Sequence, residues 1–306
     1  MKTLTNTSRI VIARSYGQLG NRLFLYAHFI AAAREYGVTV SNPCFAEYAN
    51  LFPATNDDLW CRYPCVNANL VDANLDVPSA RRRRWLSKAA YLTARAIGIS
   101  GLGKSRCEVL RLRGDEECDL GGDVFANLLA TGRTILADGW LFRSETLLQK
   151  HSDAIRNHFQ IQPEHRQKVN QTIAKIRQSA DVVVGVHIRH GDYATYLGGK
   201  YFYPVAQYAE IMRKVAVQFP AQRVAFMVCS NAKIHPNDFD GLNVHYGPGH
   251  LVEDMYSFAE TNLIVGPPST YTSWASFYGN VPLIVVKQSD QDIDVAAIMI
   301  QQRQAA

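Results

Sequence analysis

The chain has 306 residues, of which 47% are apolar and 19% charged, and its formal net charge is +5. This composition is typical of a folded protein with a substantial core, and it argues against a disordered or fibrous chain. The modest basic excess favours anionic partners such as nucleotides, phospholipid headgroups or nucleic acid, without choosing among them. The apolar run within MKTLTNTSRIVIAR is too short for a signal peptide, and no apolar stretch approaches the roughly 20 residues of a membrane span. We therefore expect a cytoplasmic protein whose contact with a membrane, if any, is peripheral.

The six cysteines do not form a metal-binding pattern. Cys61 and Cys65 lie close together, but no second close pair and no nearby histidine pair completes a zinc site with them. In a chain without a signal peptide we expect free, reduced thiols and no metal.

The chain opens with the pattern of a βαβ unit. The apolar run at 10–13 predicts a strand, a turn follows at 16–21, and apolar residues at helical spacing predict a helix over 22–36. Gly37 ends this helix, and 38–40 begins the next strand.

The remainder of the first half is less regular. Residues 41–80 are rich in Asn, Asp and Pro, which indicates irregular structure, and 98–134 supports no firm element. Between them RRRRWLSKAAYLTARAI, at 81–97, predicts a basic amphipathic helix. A strand over 134–137 and a single helix over 144–159 follow.

The second half alternates regularly between strands and helices. Pro163 indicates a boundary and a connecting helix runs to about residue 179. Strands are predicted at 182–188, 224–229, 244–246, 263–265 and 283–286, and helices at 204–218, 250–260 and 271–278. The continuous Val and Ile runs predict a parallel sheet that is covered on both faces.

Three loops follow predicted strands, where open α/β sheets bind their ligands. The first, GQLGN, places Gly17, Gly20 and Asn21 before a helix whose free N–H groups could receive an anion. The alternative is a tight turn between strand and helix, because the loop matches neither a Walker nor a dinucleotide-binding pattern.

The second loop lies in GVHIRHGDY. Arg189 remains charged at any relevant pH and can hold a phosphate through two hydrogen bonds. Asp192 could orient that guanidinium or meet a sugar hydroxyl. His187 has an apolar residue on each side, so a buried core histidine is the alternative to a ligand contact.

The third loop, GPPSTYTSW, places four hydroxyls around a predicted helix start, at Ser269, Thr270, Thr272 and Ser273. Capping of the helix is one explanation, but four hydroxyls exceed what one cap needs, and they also suit a phosphate. Tyr271 in the same stretch is a further candidate contact. Together the three loops predict a diphosphate site.

The segments GQLGNRLFLYA, ADGWLFRSETLL, VGVHIRHGDY and 254–270 resemble, in order and spacing, motifs of the α1,2-fucosyltransferases of glycosyltransferase family 11. They are also similar to the related α1,6- and protein O-fucosyltransferases. The resemblance spans most of the chain except 41–130. It implies an α/β, GT-B-like fold of two Rossmann-type halves with parallel sheets, an acceptor-side domain over 1–160 and a nucleotide-sugar-binding domain over 161–306.

The resemblance also implies the chemistry. It implies an inverting, metal-independent transfer of fucose from the donor substrate GDP-fucose to a glycan hydroxyl, in an α1,2 bond to galactose, without a cofactor. The residues that match catalytic positions are Arg189 on the β-phosphate, Asp192 of the HxRxGD motif, and Asn21 near the diphosphate and fucose. The residues that match GDP-sugar contacts are Gly17, Gly20, His187, His190, Asp254 (on guanine N1 and N2), Ser269, Thr270 and Tyr271.

Several positions depart from the family pattern. His190 stands where many relatives have a second arginine, and a histidine is only partly charged near neutral pH. Leu197 stands where some α1,6 relatives have a carboxylate, so the general base is unassigned and Asp192 is a candidate. A transferase of another GDP-sugar and a non-catalytic sugar-nucleotide-binding protein therefore remain alternatives.

The run of arginines at 81–84, followed by Trp85 and Lys88, has two explanations. It can be a solvated helix face, or it can contact an anionic membrane surface, since Trp and a basic stripe suit an interfacial helix. Membrane contact would fit the lipid-linked acceptors of bacterial relatives and a place at the inner membrane surface. The chain carries no recognised nucleic-acid-binding motif, so we expect no nucleic-acid partner.

Overall fold

The computed structural model describes residues 9–65, 77–101, 103, 105–232, 234–288 and 291–298. The chain divides into two compact units, Met1–Gln162 and Pro163–Ala306. Each unit is built on one five-stranded sheet that is mostly or wholly parallel, so the predicted α/β class with two Rossmann-type halves is confirmed. Helices in the described ranges lack the combination of length and hydropathy that a membrane crossing requires.

The first unit alternates short strands with helices of very different length. Its strands are β1 Arg9–Ile12, β2 Thr39–Ser41, β3 Arg62–Tyr63, β4 Cys107–Arg111, β5 Cys118–Asp119, β6 Thr134–Asp138 and β7 Phe142–Arg143. Its helices are α1 Leu19–Tyr36, α2 Pro53–Asn56, α3 Ala80–Ser100, α4 Asp123–Ala130, α5 Glu145–Lys150 and α6 Ser152–His158.

The main sheet of this unit has the strand order β3-β2-β1-β6-β4. Only β3 runs antiparallel to its neighbour, and β5 and β7 form a separate two-stranded ribbon. Strand β1 lies in the centre, with Ile10 opposite both Val40 of β2 and Ile135 of β6. The chain leaves β1 to one side and later returns to the other, so the loop after β1 lies at a switch point of the sheet.

Helix α1 begins at Leu19, three residues earlier than predicted. The turn is completed by Gly17, whose φ of 59° lies in the left-handed region, and by the extended residue Gln18. Gly20 and Asn21 therefore belong to the first helical turn rather than to the loop.

Other differences follow from local chemistry. The single helix predicted over 144–159 is two helices, α5 and α6, because His151 between them has non-helical dihedral angles of −110° and 18°. The stretch 98–134 contains β4, β5 and α4, and 41–80 contains two short 3₁₀ turns, α2 and β3, with 66–76 outside the described residues.

The second unit has the regular alternation that was predicted. Its strands are β8 Val182–Ile188, β9 Val224–Ser230, β10 Val244–Tyr246, β11 Leu263–Gly266 and β12 Leu283–Val285. Its helices are α7 Pro163–Arg177, α8 Val205–Ala216, α9 Leu251–Phe258 and α10 Thr270–Gly279, with 3₁₀ turns at Gly191–Ala194, Tyr196–Gly199 and Pro236–Phe239.

The sheet of the second unit is entirely parallel, in the order β10-β9-β8-β11-β12. This is the strand order of a dinucleotide-binding α/β unit. Strand β8 is buried along its whole length, as its sequence, β-branched except at Gly185 and His187, predicts. A side chain at Gly185 would place a Cβ 2.4 Å from Cδ1 of Phe258, so this glycine lets α9 pack directly on the sheet.

Candidate functional site

The carboxyl edge of the second sheet brings together most of the residues that the sequence singled out. Strands β8 and β11 are neighbours, with Val184 opposite Leu263 and Val186 opposite Val265. The chain proceeds outward from β8 through β9 and β10 and then returns to the other side at β11. The loops after β8 and β11 therefore emerge next to each other, at the position where open α/β sheets bind ligands.

Arg189 is the first residue after β8, and its guanidinium is held in place by the following turn. Its Nε and Nη2 donate to Oδ1 of Asp192 at 3.0 and 2.8 Å, and its Cζ lies 5.5 Å from the centre of the Tyr193 ring. Because a carboxylate and an aromatic ring fix the side chain, the cation is positioned before any ligand arrives.

Tyr193 joins the two loops at this edge. Its hydroxyl donates to the carbonyl oxygen of Pro268 at 2.5 Å, across 75 residues of sequence. Partial burial raises the pKa of Tyr193 above its usual range, so the hydroxyl remains a donor at neutral pH. Sequence reasoning did not select this residue, although an aromatic residue directly after the motif aspartate was a visible signal.

His187 is a buried, uncharged histidine. It is 6% exposed, and burial, with a smaller contribution from the Arg189 charge, lowers its pKa to about 3. Its ring lies 5.0 Å from that of Tyr271, and its Nδ1 has no hydrogen-bond partner among the described residues. His187 is therefore a buried core histidine, which was one of the two alternatives from the sequence, but its Nδ1 lacks a hydrogen-bond partner among the described residues.

His190 supports the loop rather than replacing a second arginine. Its Nε2 donates to the carbonyl oxygen of Tyr203 at 2.8 Å, and its ring packs on Phe202 at 4.4 Å. Its backbone N–H donates to Oδ1 of Asn231 at 2.8 Å. Gly191 has a φ of 33°, and a Cβ there would lie 2.5 Å from Nδ2 of Asn231, so the motif glycine is required by this contact.

The hydroxyl-rich loop forms the start of α10. Oγ of Ser269 accepts from the backbone N–H of Tyr271 at 3.2 Å and caps the helix. The hydroxyls of Thr272 and Ser273 donate to the carbonyl oxygen of Ser269 at 3.1 and 2.9 Å. Capping thus accounts for the hydroxyl of Ser269 alone, two further hydroxyls are used in bonds back to the carbonyl of the cap residue, and Thr270 is the first residue of the helix.

Tyr271 holds α10 against α9. Its hydroxyl donates to the carbonyl oxygen of Leu251 at 2.6 Å, and burial raises its pKa well above the usual range. Its ring packs against His187 and so supports the position of that histidine.

Asp254 lies in the first turn of α9, beside the loop that follows β10. Its Oδ1 accepts from the backbone N–H of Gly249 at 2.8 Å, and burial raises its pKa to about 6. A Cβ at Gly247 would lie 2.7 Å from that oxygen and 2.4 Å from Sγ of Cys229, so only glycine fits there. Cys229 belongs to β9 and lies opposite His187 of β8, so Asp254 stands at the same edge of the sheet as the loop of Arg189.

The remaining candidates belong to the first unit. A Cβ at Gly17 would lie 1.8 Å from Nδ2 of Asn21, so this glycine allows the asparagine side chain to fold back over the turn. Gly20 is buried in α1. Arg22, which sequence reasoning did not select, donates from Nε to the carbonyl oxygen of Gly17 at 3.2 Å and pairs with Glu47 at 3.0 Å.

One group of possible metal ligands occurs among the described residues, formed by His165, His250 and Glu253. Oε1 of Glu253 already accepts from Nδ1 of His165 at 2.8 Å and from Nζ of Lys168 at 2.9 Å. The ammonium of Lys168 therefore supplies the positive charge that this buried carboxylate needs. All six cysteines are free thiols.

The four arginines at 81–84 do not share one environment. Arg83 is 4% exposed and donates to the carbonyl oxygens of Asp58 at 2.9 Å and Thr55 at 3.1 Å, and to that of Asn56. Arg81, Arg82 and Arg84 are exposed. The expectation of a four-residue basic surface is therefore wrong for Arg83, which anchors the start of α3 to the preceding turns.

Comparisons with known proteins give matches at the level of the fold. No protein-family model and no curated protein matches the chain. The fucosyltransferase NodZ from Bradyrhizobium is 18% identical with a TM-score of 0.55, covering 94% of this chain and 97% of that one. A NodZ α-1,6-fucosyltransferase soaked with GDP-fucose is 18% identical with a TM-score of 0.52, covering 94% of this chain and 98% of that one. A single-residue mutant of Arabidopsis thaliana FUT1 in complex with GDP is 12% identical with a TM-score of 0.54, covering 91% of this chain and 70% of that one. The chain thus has a GT-B-like α/β fold that it shares with known fucosyltransferases.

Proposed function

We propose that the protein is a glycosyltransferase that transfers fucose from GDP-fucose to a glycan hydroxyl. The second unit binds the nucleotide sugar and the first unit receives the acceptor. The observation that carries the proposal is the pre-positioned guanidinium of Arg189 at the switch point, next to the capped N-terminus of α10. It is supported by structures of the same fold, one soaked with GDP-fucose and one in complex with GDP.

The proposed reaction inverts the anomeric carbon and uses no metal ion. As the bond between the sugar and the β-phosphate breaks, negative charge develops on the leaving GDP. Arg189 absorbs that charge without a proton transfer, and backbone N–H groups at the start of α10, near Ser269 and Thr270, add to it. Asp192 positions the guanidinium, and the motif resemblance assigns Asn21 to the diphosphate and fucose. The acceptor hydroxyl attacks the anomeric carbon from the opposite face of the sugar and releases its proton to solvent water. The motif resemblance favours an α1,2 bond to galactose.

Nucleotide titrations test the donor. GDP, ADP and UDP are titrated against the protein by calorimetry with EDTA present, and we expect GDP to bind most tightly. GDP binding no better than the other two would refute the choice of donor. Turnover is then measured with GDP-fucose and GDP-mannose on a panel of galactosides. Turnover of GDP-mannose alone would favour the alternative donor, and binding without turnover would favour a non-catalytic protein.

The Arg189→Ala variant tests the phosphate role. Loss of one pre-organised donor costs about 10²- to 10³-fold in turnover, so we expect at least that decrease with an unchanged melting temperature. Arg213→Ala is a matched control, because Arg213 also pairs with a carboxylate three residues away, Glu210, but lies on α8. A fully active Arg189→Ala variant would exclude Arg189 from catalysis.

We further propose that α3 contacts an anionic membrane at the inner, cytoplasmic surface, where the acceptor is lipid-linked. Trp85, Leu92 and Ile99 are 70%, 51% and 73% exposed, and their spacing of seven places them on one face of α3. The helix contains no acidic residue, and the exposed cations that flank this apolar face are Arg81, Arg82, Arg84, Lys88 and Arg95. An apolar stripe with basic flanks suits the interface of an anionic bilayer.

Vesicle sedimentation tests this contact. We expect binding to vesicles with one third phosphatidylglycerol, little binding to pure phosphatidylcholine, and at least about tenfold weaker binding of a Trp85→Asp, Ile99→Asp double variant. A Val124→Asp, Val217→Asp variant, altered at exposed apolar residues of α4 and the end of α8, is the control. Equal binding of both variants to the vesicles would refute the membrane contact. In a separate titration, tighter binding to duplex DNA than to GDP would favour a nucleic-acid-binding protein.

A further inference from the structure

A second arginine-rich site lies in the first unit. A cavity of about 580 Å³ opens at the carboxyl edge of the main sheet, where β1, β4 and β6 end, and α3 forms one wall. Its size falls within the roughly 300–1,000 Å³ of small-molecule sites. We call it the arginine cavity, because Arg14, Arg95, Arg111 and Arg113 all line it.

The arginine cavity carries a net positive charge. Its one lining carboxylate, Asp138 at the end of β6, is 3% exposed and accepts from Nε of Arg111 at 2.7 Å. Nη1 of Arg14 lies 3.7 Å from its other oxygen. Glu116 also approaches the rim, where it accepts from the backbone N–H of Arg113 at 2.8 Å. Four guanidinium groups around one buried carboxylate leave an excess of cations that favours an anionic ligand.

Aromatic rings line the same cavity. The hydroxyl of Tyr16 is 3.5 Å from Oδ1 of Asp138, and the guanidinium of Arg14 lies over the rings of Tyr16 and Tyr91 at 4.9 and 5.7 Å. Trp140 adds an indole ring, which Arg143 stacks on at 4.3 Å. Fixed rings give apolar faces on which a sugar ring can lie, while the arginines bind its polar groups.

We infer that the arginine cavity binds a negatively charged sugar, one that carries a carboxylate or a phosphate. The inference rests on the proposed transfer to a glycan, and it assigns the acceptor to an anionic class. Arg95 and Arg113 on the rim meet the anionic group, and the paired Arg14, Arg111 and Asp138 form the floor that orients the sugar.

Direct binding without any donor tests the inference. Methyl galacturonide, galactosyl phosphate and neutral methyl galactoside are titrated against the protein by calorimetry. We expect one anionic sugar to bind at least about tenfold more tightly than the neutral one, which identifies the carboxylate or the phosphate as the recognised group. Equal binding of charged and neutral sugars would overturn the inference. The inference would also be overturned if inorganic phosphate or GDP competed for the cavity as strongly as the anionic sugar.

A double variant, Arg95→Gln with Arg113→Gln, links the binding to this cavity. It should lower the affinity for the anionic sugar to that of the neutral sugar while the melting temperature is unchanged. The matched control removes two charges at the opposite edge of the same sheet, with Arg9→Gln at the start of β1 and Arg34→Gln in the last turn of α1. An unaltered affinity in the Arg95, Arg113 variant would refute the site.

The outcome is separable from that of the transferase proposal. If the anionic sugar binds but GDP does not, the cavity remains and the transferase proposal fails. If GDP-fucose is turned over on neutral galactosides but the anionic sugar does not bind, the transferase remains and the cavity inference fails.

Discussion

The raised pKa of Asp254 leads to a prediction about how the nucleotide preference changes with pH. A carboxylate that accepts from guanine N1 and N2 must be ionised, and burial raises the pKa of Asp254 to about 6. If Asp254 holds guanine as the motif resemblance implies, lowering the pH below 6 protonates this group and removes that contact. We therefore expect the preference for GDP over ADP to decrease on acidification.

The magnitude follows from the ionised fraction. With a pKa of about 6, roughly nine tenths of Asp254 is ionised at pH 7 and roughly one tenth at pH 5. The ratio of the ADP and GDP dissociation constants should thus decrease about tenfold between these pH values. Using the ratio matters because the terminal phosphate of both nucleotides has a pKa of roughly 6 and titrates over the same range.

Calorimetric titration of both nucleotides at several pH values measures this ratio. An Asp254→Asn variant should have a low ratio that does not depend on pH. Asp240→Asn, which alters an exposed carboxylate in the same unit, should keep the wild-type profile. A constant ratio between pH 7 and pH 5 in the wild type would refute the reasoning, because a carboxylate with an ordinary pKa near 4 stays ionised there.

Further predictions concern stability. Arg83→Met should lower the free energy of unfolding, measured in urea, by about 3 kcal/mol or more, because buried carbonyl oxygens lose a charged donor. Arg82→Met, the control, should change it by less than about 0.5 kcal/mol, and equal effects of the two variants would contradict the buried role of Arg83. Tyr193→Phe should cost about 1–2 kcal/mol and weaken GDP binding, because the two loops lose their link; unchanged affinity and stability would exclude that link. Gly17→Ala should lower the free energy of unfolding, measured by chemical denaturation, more than Gly37→Ala does. Both glycines have a positive φ, but only a Cβ at Gly17 would also clash with the side chain of Asn21, and equal losses would show that this clash relaxes.

The fold could be predicted where the sequence pattern is undisturbed. The run that forms β8 is buried on both faces, so five of its seven residues are Val or Ile, and its bounds at 182–188 were predicted correctly. Strand β4 was missed because it is half-buried, and its Glu108 is paired with Arg133, which interrupts the apolar pattern. The start of α1 was misplaced because Gly20 and Asn21 are typical of turns, whereas the turn itself needed only Gly17.

Site residues could be predicted where they follow a strand, and less well where they depend on tertiary contacts. Arg189 and Ser269 stand at strand ends, and the parallel sheet places their loops side by side. Asn231 was missed because it meets His190 across 41 residues of sequence. The burial of Arg83 did have a signal, since helical spacing places it on the same face of α3 as Leu86 and Ala94, which are buried.

Helix α3 carries both the exposed apolar stripe that we propose to contact the membrane and one wall of the arginine cavity. Ile99 belongs to both, and Tyr91 and Arg95 on the adjacent flank face the cavity. Because Ile99 belongs to both, the cavity would open within the width of one helix, about 10 Å, of the lipid headgroups. On both proposals, the protein would then select acceptors by length as well as by charge. It would take a sugar within a few bonds of its lipid, and the distal residues of a longer chain would lie beyond its reach.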